Sequence, residues 1–242
     1  MAERSMPKTH KAIHKAFHHT PHKTGDYGAS VHFSDRATWR QSTVARTHSV
    51  PAFWRDWLLH PGSLTQRLLD ASDGQFKVEV LSQSLLRPSL SERRALSLPD
   101  HRLALVREVI LIGRGVPWVF ARSVIPLQTL TGRLRKLRRL DSRPLGALLF
   151  SDSTMTREPL EWACIEPNGQ PLAAELEAMD KPVWGRRSVF KLSAKPMLVC
   201  EVFLPSFSFR FTFRGCSFLL LLIFICTVFQ IFLLQFVFFV FH

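Results

Sequence analysis

Two apolar runs in this chain carry charge near the centre: "LALVREVILI" (103–112) holds Arg107, with Glu108 next to it, and "MLVCEVFLP" (197–205) holds Glu201. Burying an isolated charge costs on the order of several kcal/mol unless it is paired, so each charge needs a reason. In an extended strand Arg107 shares a face with Leu105, Val109 and Leu111, and Glu201 shares one with Met197, Val199 and Phe203. A third charge, Arg122, lies in "VPWVFARSVIP", the expected hairpin partner of the Arg107 run. One glutamate and two arginines on core-like strands describe a small, electropositive, mostly apolar cavity. The chemistry it suits is recognition of a flat carboxylate-bearing ring: a guanidinium forks onto the carboxylate, and the glutamate meets a hydroxyl at the other end. Two bland readings stand beside it, a buried Arg–Glu pair with no ligand and charges on the exposed face of a sheet.

The elements that must position these residues run from Trp39 to Pro205. "SVPAFWRDWLL" has helical spacing after a proline, and "GSLTQRLLDAS" offers Ser63 as the N-cap of a second helix. "LSERRALSL" reads as a helix capped by Ser91, with Glu92 in its first turn, and "LQTLTGRLRKLRRL" has helical periodicity weakened by Gly132. Six segments read as strands: "GQFKVEVLSQSLL", "LALVREVILI", "VPWVFARSVIP", "STMTREPLEWAC", "WGRRSVFKLS" and "PMLVCEVFLP". The second and third are joined through "GRG", a tight hairpin connection. Short connections and no βαβ alternation imply an α+β fold on one six-stranded antiparallel sheet with helical flaps.

The 242 residues suffice for one well-filled domain, and the net charge of +13 favours anionic partners. Positive charge concentrates in the first fifty residues and in "TGRLRKLRRLDSR" (131–143), which read equally as solvated surface. Residues 1–38 form a polar extension, expected to be disordered and lacking the apolar core of a secretory signal. Its histidines at 10, 14 and 18 have helical spacing, but no cysteine and few acids accompany them. Residues 206–242 are the opposite. From Phe218 to Phe241 there is no charge, which is long enough for a membrane span, and Arg210 and Arg214 on its N-terminal side would keep the globular part cytoplasmic. Twelve of the chain's 20 phenylalanines fall in this zone, so out-of-frame translation of a T-rich stretch is the competing reading. Cys164, Cys200, Cys216 and Cys226 show no pairing pattern and read as thiols in a reducing compartment. No GxGxxG, Walker loop, HExxH or GxSxG occurs.

"GSLTQRL", "LVREVILIGRGVPWVFARSVIPLQTL", "RPLGALLFSDSTMTRE" and "WGRRSVFKLSAKPMLVCEVFLP", in that order, closely resemble the chorismate lyase family of bacterial ubiquinone synthesis. The resemblance covers about Trp39 to Pro205. It implies a six-stranded antiparallel sheet with helical flaps closing over a buried product, and cleavage of chorismate to 4-hydroxybenzoate and pyruvate without metal or cofactor. Carried over by position, Arg107 would bind the ring carboxylate and Glu201 would meet the 4-hydroxyl end, both as catalytic residues. Leu145 of "PLG" would contribute backbone contacts from a flap, Leu64 of "SLTQR" would cover the ring, and Arg122 would guide anions in a secondary role. The resemblance further implies a cytoplasmic monomer acting on a small molecule, tethered to the membrane if 218–241 is a span. Both chain ends depart from the family pattern.

Two other classes of function compete with the lyase. The same fold resembles ligand-binding domains of transcription regulators, but 1–38 is too short and polar for their winged helix. Nucleic-acid binding through the basic blocks lacks a stacking motif or reading helix, so no nucleic-acid partner is expected.

Overall fold

The computed structural model describes residues 32–43 and 48–208. Among these residues the elements follow in the order α1 (Phe33–Arg36), β1 (Arg40–Gln41), α2 (Ala52–Leu58), α3 (Leu64–Ala71), β2 (Phe76–Leu86), α4 (Leu90–Ala95), β3 (Ala104–Gly113), β4 (Val116–Pro126), a 3-10 helix (Gly132–Arg139), α5 (Leu145–Ser151), β5 (Met155–Arg157), β6 (Glu161–Ile165), β7 (Val183–Leu192) and β8 (Lys195–Phe203). All strands join one antiparallel sheet in the order β1-β6-β7-β8-β4-β3-β2, with β5 also pairing β7.

The α+β class and the single antiparallel sheet agree with expectation; the count of six strands does not. Pro159 lacks the amide a ladder needs, and the run from 154 to 165 breaks there into β5 and β6. The eighth strand, β1, is only two residues long and pairs with β6 at the sheet edge. Packed structure is also present ahead of Trp39. His32 caps α1, and Phe33, 2% exposed, packs edge-on against Phe120. At the other end Phe207 is fully buried against Trp57 and Phe203. The histidines at 10, 14 and 18 and the run 218–241 lie outside the described residues, within which no helix is long and apolar enough to cross a membrane.

Local chemistry explains the elements. The β3–β4 connection is a two-residue turn with Arg114 and Gly115 both at positive φ (51° and 73°), the geometry whose twist matches a hairpin. Ser63 caps α3 by accepting from the Gln66 amide. The cap of α4 is Ser89 rather than Ser91: its hydroxyl accepts from the Glu92 amide while the Glu92 carboxylate accepts from the Ser89 amide, a complete capping box. The segment 132–139 is a 3-10 helix because its buried leucines, Leu134 and Leu137 followed by Leu140, recur every third residue. A three-residue turn stacks them on one face, which an α-helical turn would smear.

Strands β3 and β4 are buried on both faces, hence their nearly unbroken apolar runs. One face is covered by α2, α3, α5 and the 3-10 helix, through clusters built on Leu64, Leu68, Val109 and Phe203 and on Leu105, Leu134, Leu145 and Met197. The other is covered by α1, α4 and the segment 172–179, around Ile110, Phe120 and Val202 and around Val106 and Leu198.

Candidate active site

Strand register brings Arg107 and Glu201 to the same face. Arg107 on β3 is opposite Ser123 on β4, which is opposite Val199 on β8, and Glu201 lies two residues further along β8, opposite Ala121. With about 4.8 Å between strands and about 3.4 Å per residue, their backbones stand roughly 12 Å apart on the diagonal. The floor between them is Val109, Ala121, Ser123 and Val199.

Helices α3 and α5 roof this floor. Leu64, on the first turn of α3, belongs to the cluster with Val109 and Ala121; Leu145, on the first turn of α5, belongs to the one that Val199 joins. The two helices pack against each other where Gly146 meets Thr65, so closely that a Cβ at 146 would sit 2.7 Å from the Thr65 Oγ1. The four residues expected at the site thus lie on one face of the sheet and on the helices covering it, two polar and two apolar.

The polar ends differ. The Arg107 guanidinium is 2% exposed, yet no salt bridge to it forms among the described residues. Its Nη2 donates to the Asp141 and Arg143 carbonyls at 2.7 and 3.4 Å, and its buried Nε has no hydrogen-bond partner. Burial holds its pKa below the ordinary arginine value, with Asp141 a partial counterweight. A buried guanidinium with an unused donor can accept an anion as a hydrogen-bond partner. Glu201, in contrast, is anchored: Arg186 Nε donates to its Oε2 at 2.7 Å, and Arg186 Nη1 donates to the Trp57 and His60 carbonyls.

Arg122 does not share this face of the sheet and, contrary to expectation, is not beside Arg107 and Glu201. A two-residue turn alone would pair Arg107 directly with Arg122. The ladder shifts by one between Leu111 and Ile112, where Trp118 is bulged out, so Arg107 meets Ser123 and Arg122 meets Glu108. On the opposite face Arg122 Nε and Nη2 donate to the Glu92 carboxylate (2.7 and 3.2 Å) and Nη1 to Glu108 (2.6 Å), whose other oxygen accepts from Ser82. This triad is saturated and has no fork left for a substrate. An open cavity of about 490 Å³ on that side is lined by Asp35, Glu158 and Glu161 against Arg94 and Arg187, a poor match for a dianion.

Sequence reasoning missed Arg186 and Arg157. Both belong to the Glu201 face: Arg186 is opposite Glu201, and Arg157 on β5 is opposite Phe190. The signal was the double arginine in the apolar strand "WGRRSVF", which alternation sends to opposite faces: Arg186 to Glu201 and Arg187 to Glu161. No group of three or more metal-ligating side chains occurs among the described residues. Cys164 and Cys200 are free thiols there, and burial pushes the Cys200 thiol up.

The model of the family described as "Chorismate lyase" matches residues 33–211. A "Probable chorismate pyruvate-lyase" of Aromatoleum aromaticum is 42% identical over 162 residues, covering 65% of this chain and 87% of that protein. One from Methylococcus capsulatus is 42% identical over 151 residues (62% and 93%), and one from Pseudomonas aeruginosa 44% over 151 (62% and 83%). Among solved structures, the effector domain of PhnF from Mycobacterium smegmatis superposes with a TM-score of 0.44 at 16% identity, covering 60% of this chain and 90% of that one.

Proposed function

The chain belongs to the chorismate lyase family, and from that premise we propose that it cleaves chorismate to 4-hydroxybenzoate and pyruvate, the first step of ubiquinone synthesis, with the floor between Arg107 and Glu201, under α3 and α5, as its active site. The observation that supports this most directly is Arg107: a buried guanidinium with an unused Nε and no carboxylate partner, facing an anchored Glu201 across an apolar floor.

The reaction breaks the C3–O ether bond, removes the hydrogen on C4 and leaves an aromatic ring; the released enolpyruvate gains a proton on carbon and becomes pyruvate. Aromatisation supplies the driving force, so the protein's task is orientation and charge placement in a site without bulk water. Arg107 grips the ring carboxylate through its free Nε, while Nη2 stays on the Asp141 and Arg143 carbonyls and fixes the guanidinium. That sets the ring between Leu64 and Leu145 and delivers the C4 hydroxyl to Glu201, which orients it and assists removal of the C4 hydrogen. Arg186 holds the Glu201 carboxylate in register during this step. In this reading the chain works as a monomer in the cytoplasm, with 218–241 as its candidate tether to the membrane's inner face.

Purified full-length chain supplied with chorismate should release 4-hydroxybenzoate and pyruvate in equal amounts above a no-enzyme control. Binding of 4-hydroxybenzoate without turnover would replace the lyase by a ligand-binding relative. Normal turnover and affinity in Arg107→Ala would overturn the site.

A further inference from the structure

Chorismate carries two carboxylates, and the site as described so far engages one. Resting on the lyase reading above, we propose that Arg157 binds the second, the carboxylate of the enolpyruvyl group that leaves as pyruvate.

The first support is position. Across the sheet the order is Arg107 on β3, then β4, Glu201 on β8, Arg186 on β7 and Arg157 on β5. A ring anchored by its C1 carboxylate at Arg107 and its C4 hydroxyl at Glu201 carries the ether on C3, next to C4. The enolpyruvyl arm therefore leaves the ring at the Glu201 end, and β7 and β5 lie beyond it. Of the two arginines there, Arg186 is already neutralised by Glu201 and tied to two carbonyls. Arg157 is not neutralised. It has no salt bridge among the described residues, its guanidinium stacks over Phe190 at 5.0 Å, and its hydrogen bonds leave from Nε to Ser188 Oγ (2.9 Å) and from Nη1 to the Pro61 carbonyl (2.8 Å).

Charge is the second support. Beside Glu201 two guanidiniums, Arg186 and Arg157, stand against that one carboxylate, a local excess of one positive charge. Chorismate brings a second carboxylate to this end and 4-hydroxybenzoate does not, so only the substrate offsets the excess. The protein holds Arg157 in an unfavourable state while it waits: burial first, and the Arg186 charge second, bring its pKa down to about 10, with Glu201 opposing. A carboxylate beside it relieves both effects. Ser188 and Pro61 fix the fork from opposite sides, one on the sheet and one on the loop entering α3, so the arm is held where the C3–O bond must break.

The discriminating measurement compares the two anions on the full chain. In Arg157→Gln the KM for chorismate should rise about 10- to 100-fold, while the affinity for 4-hydroxybenzoate, which has no second carboxylate, stays within about twofold. Arg157→Lys keeps the charge in the fold but loses the fork, and should fall between the two. An unchanged KM in both variants overturns the proposal. So does a loss of 4-hydroxybenzoate affinity as large as the rise in KM, which would mark Arg157 as structural. A wild-type chain that makes no pyruvate defeats the lyase reading itself, a distinct outcome visible before any variant is compared.

Discussion

Arg186 and Glu201 are cross-strand partners on β7 and β8, joined by a 2.7 Å bond, and Arg186 reaches onward to the carbonyls that end α2. The glutamate proposed to act on the C4 hydroxyl is thus held by a residue that the helical layer itself holds. Glu201→Gln keeps the shape and a hydroxyl partner but removes the base. Its kcat should fall about 100-fold or more, with a much smaller change in 4-hydroxybenzoate affinity. Steady-state kinetics alongside a binding titration check this split.

Arg107 should be costly to function and nearly neutral to stability. Replacing it with methionine removes a desolvated cation, which stabilises, and strips the Asp141 and Arg143 carbonyls of a donor, which destabilises. These effects are each about 1–3 kcal/mol and opposite in sign. The urea midpoint of Arg107→Met should therefore stay close to wild type while 4-hydroxybenzoate affinity falls about 100-fold. A variant that unfolds readily would show that Arg107 is structural cement for the segment 138–143.

How far the sequence could be read follows from what it encodes locally. Arg107 and Glu201 stood out because a charge in an apolar run is anomalous wherever the strand lies. Ser63 was legible because a cap acts on the next turn only. Arg122 was misplaced because the face of a strand residue depends on register, and the register turned on one bulge at Trp118, a tertiary event in which that indole packs against Gly113. Alternation predicts faces within a strand, never between strands. Arg157 was hidden for a related reason: it sits in a three-residue strand whose only interpretable signal is its pairing with β7.

The Arg122 triad makes a prediction about pH. Burial alone would raise the Glu92 pKa, but Arg122 outweighs it and holds the carboxyl below its ordinary value. A group that releases its proton more readily folded than unfolded stabilises the fold above the unfolded value, near pH 4.3, and loses that contribution as pH falls through the folded value. Wild type should accordingly weaken on acidification below about pH 4.3. In Arg122→Met burial, the largest influence on Glu92, is opposed only by His32 and the Ser89 amide, two carboxylates are left without their cation, and stability at pH 7 should drop by about 3–5 kcal/mol. The sign then reverses, because Glu92 now binds its proton more tightly folded, and the variant should regain stability as pH falls from neutral towards about 4.3. Urea midpoints across pH test both slopes. Below the variant's melting temperature, KM for chorismate should be unchanged, since Arg122 faces away from the site.

The roof over the site depends on an absent side chain. Gly146 lets α5 lie against α3, and a methyl there would meet the Thr65 hydroxyl at 2.7 Å and the Ser63 hydroxyl at 3.4 Å. The helix at this point cannot yield inward, because Leu145 and Leu149 are packed against the sheet, so the strain must separate the two covers. Gly146→Ala should weaken 4-hydroxybenzoate binding by about tenfold through loss of enclosure rather than loss of any contact to it. Removing the obstructing hydroxyl should reverse the effect: with Thr65→Ala in the same chain the nearest Oγ1 is gone and the methyl has room. A double-mutant cycle on 4-hydroxybenzoate affinity should show strong positive coupling between the two positions. Additive effects would mean that α3 and α5 move independently and that closure over the ring does not pass through the contact between Thr65 and Gly146.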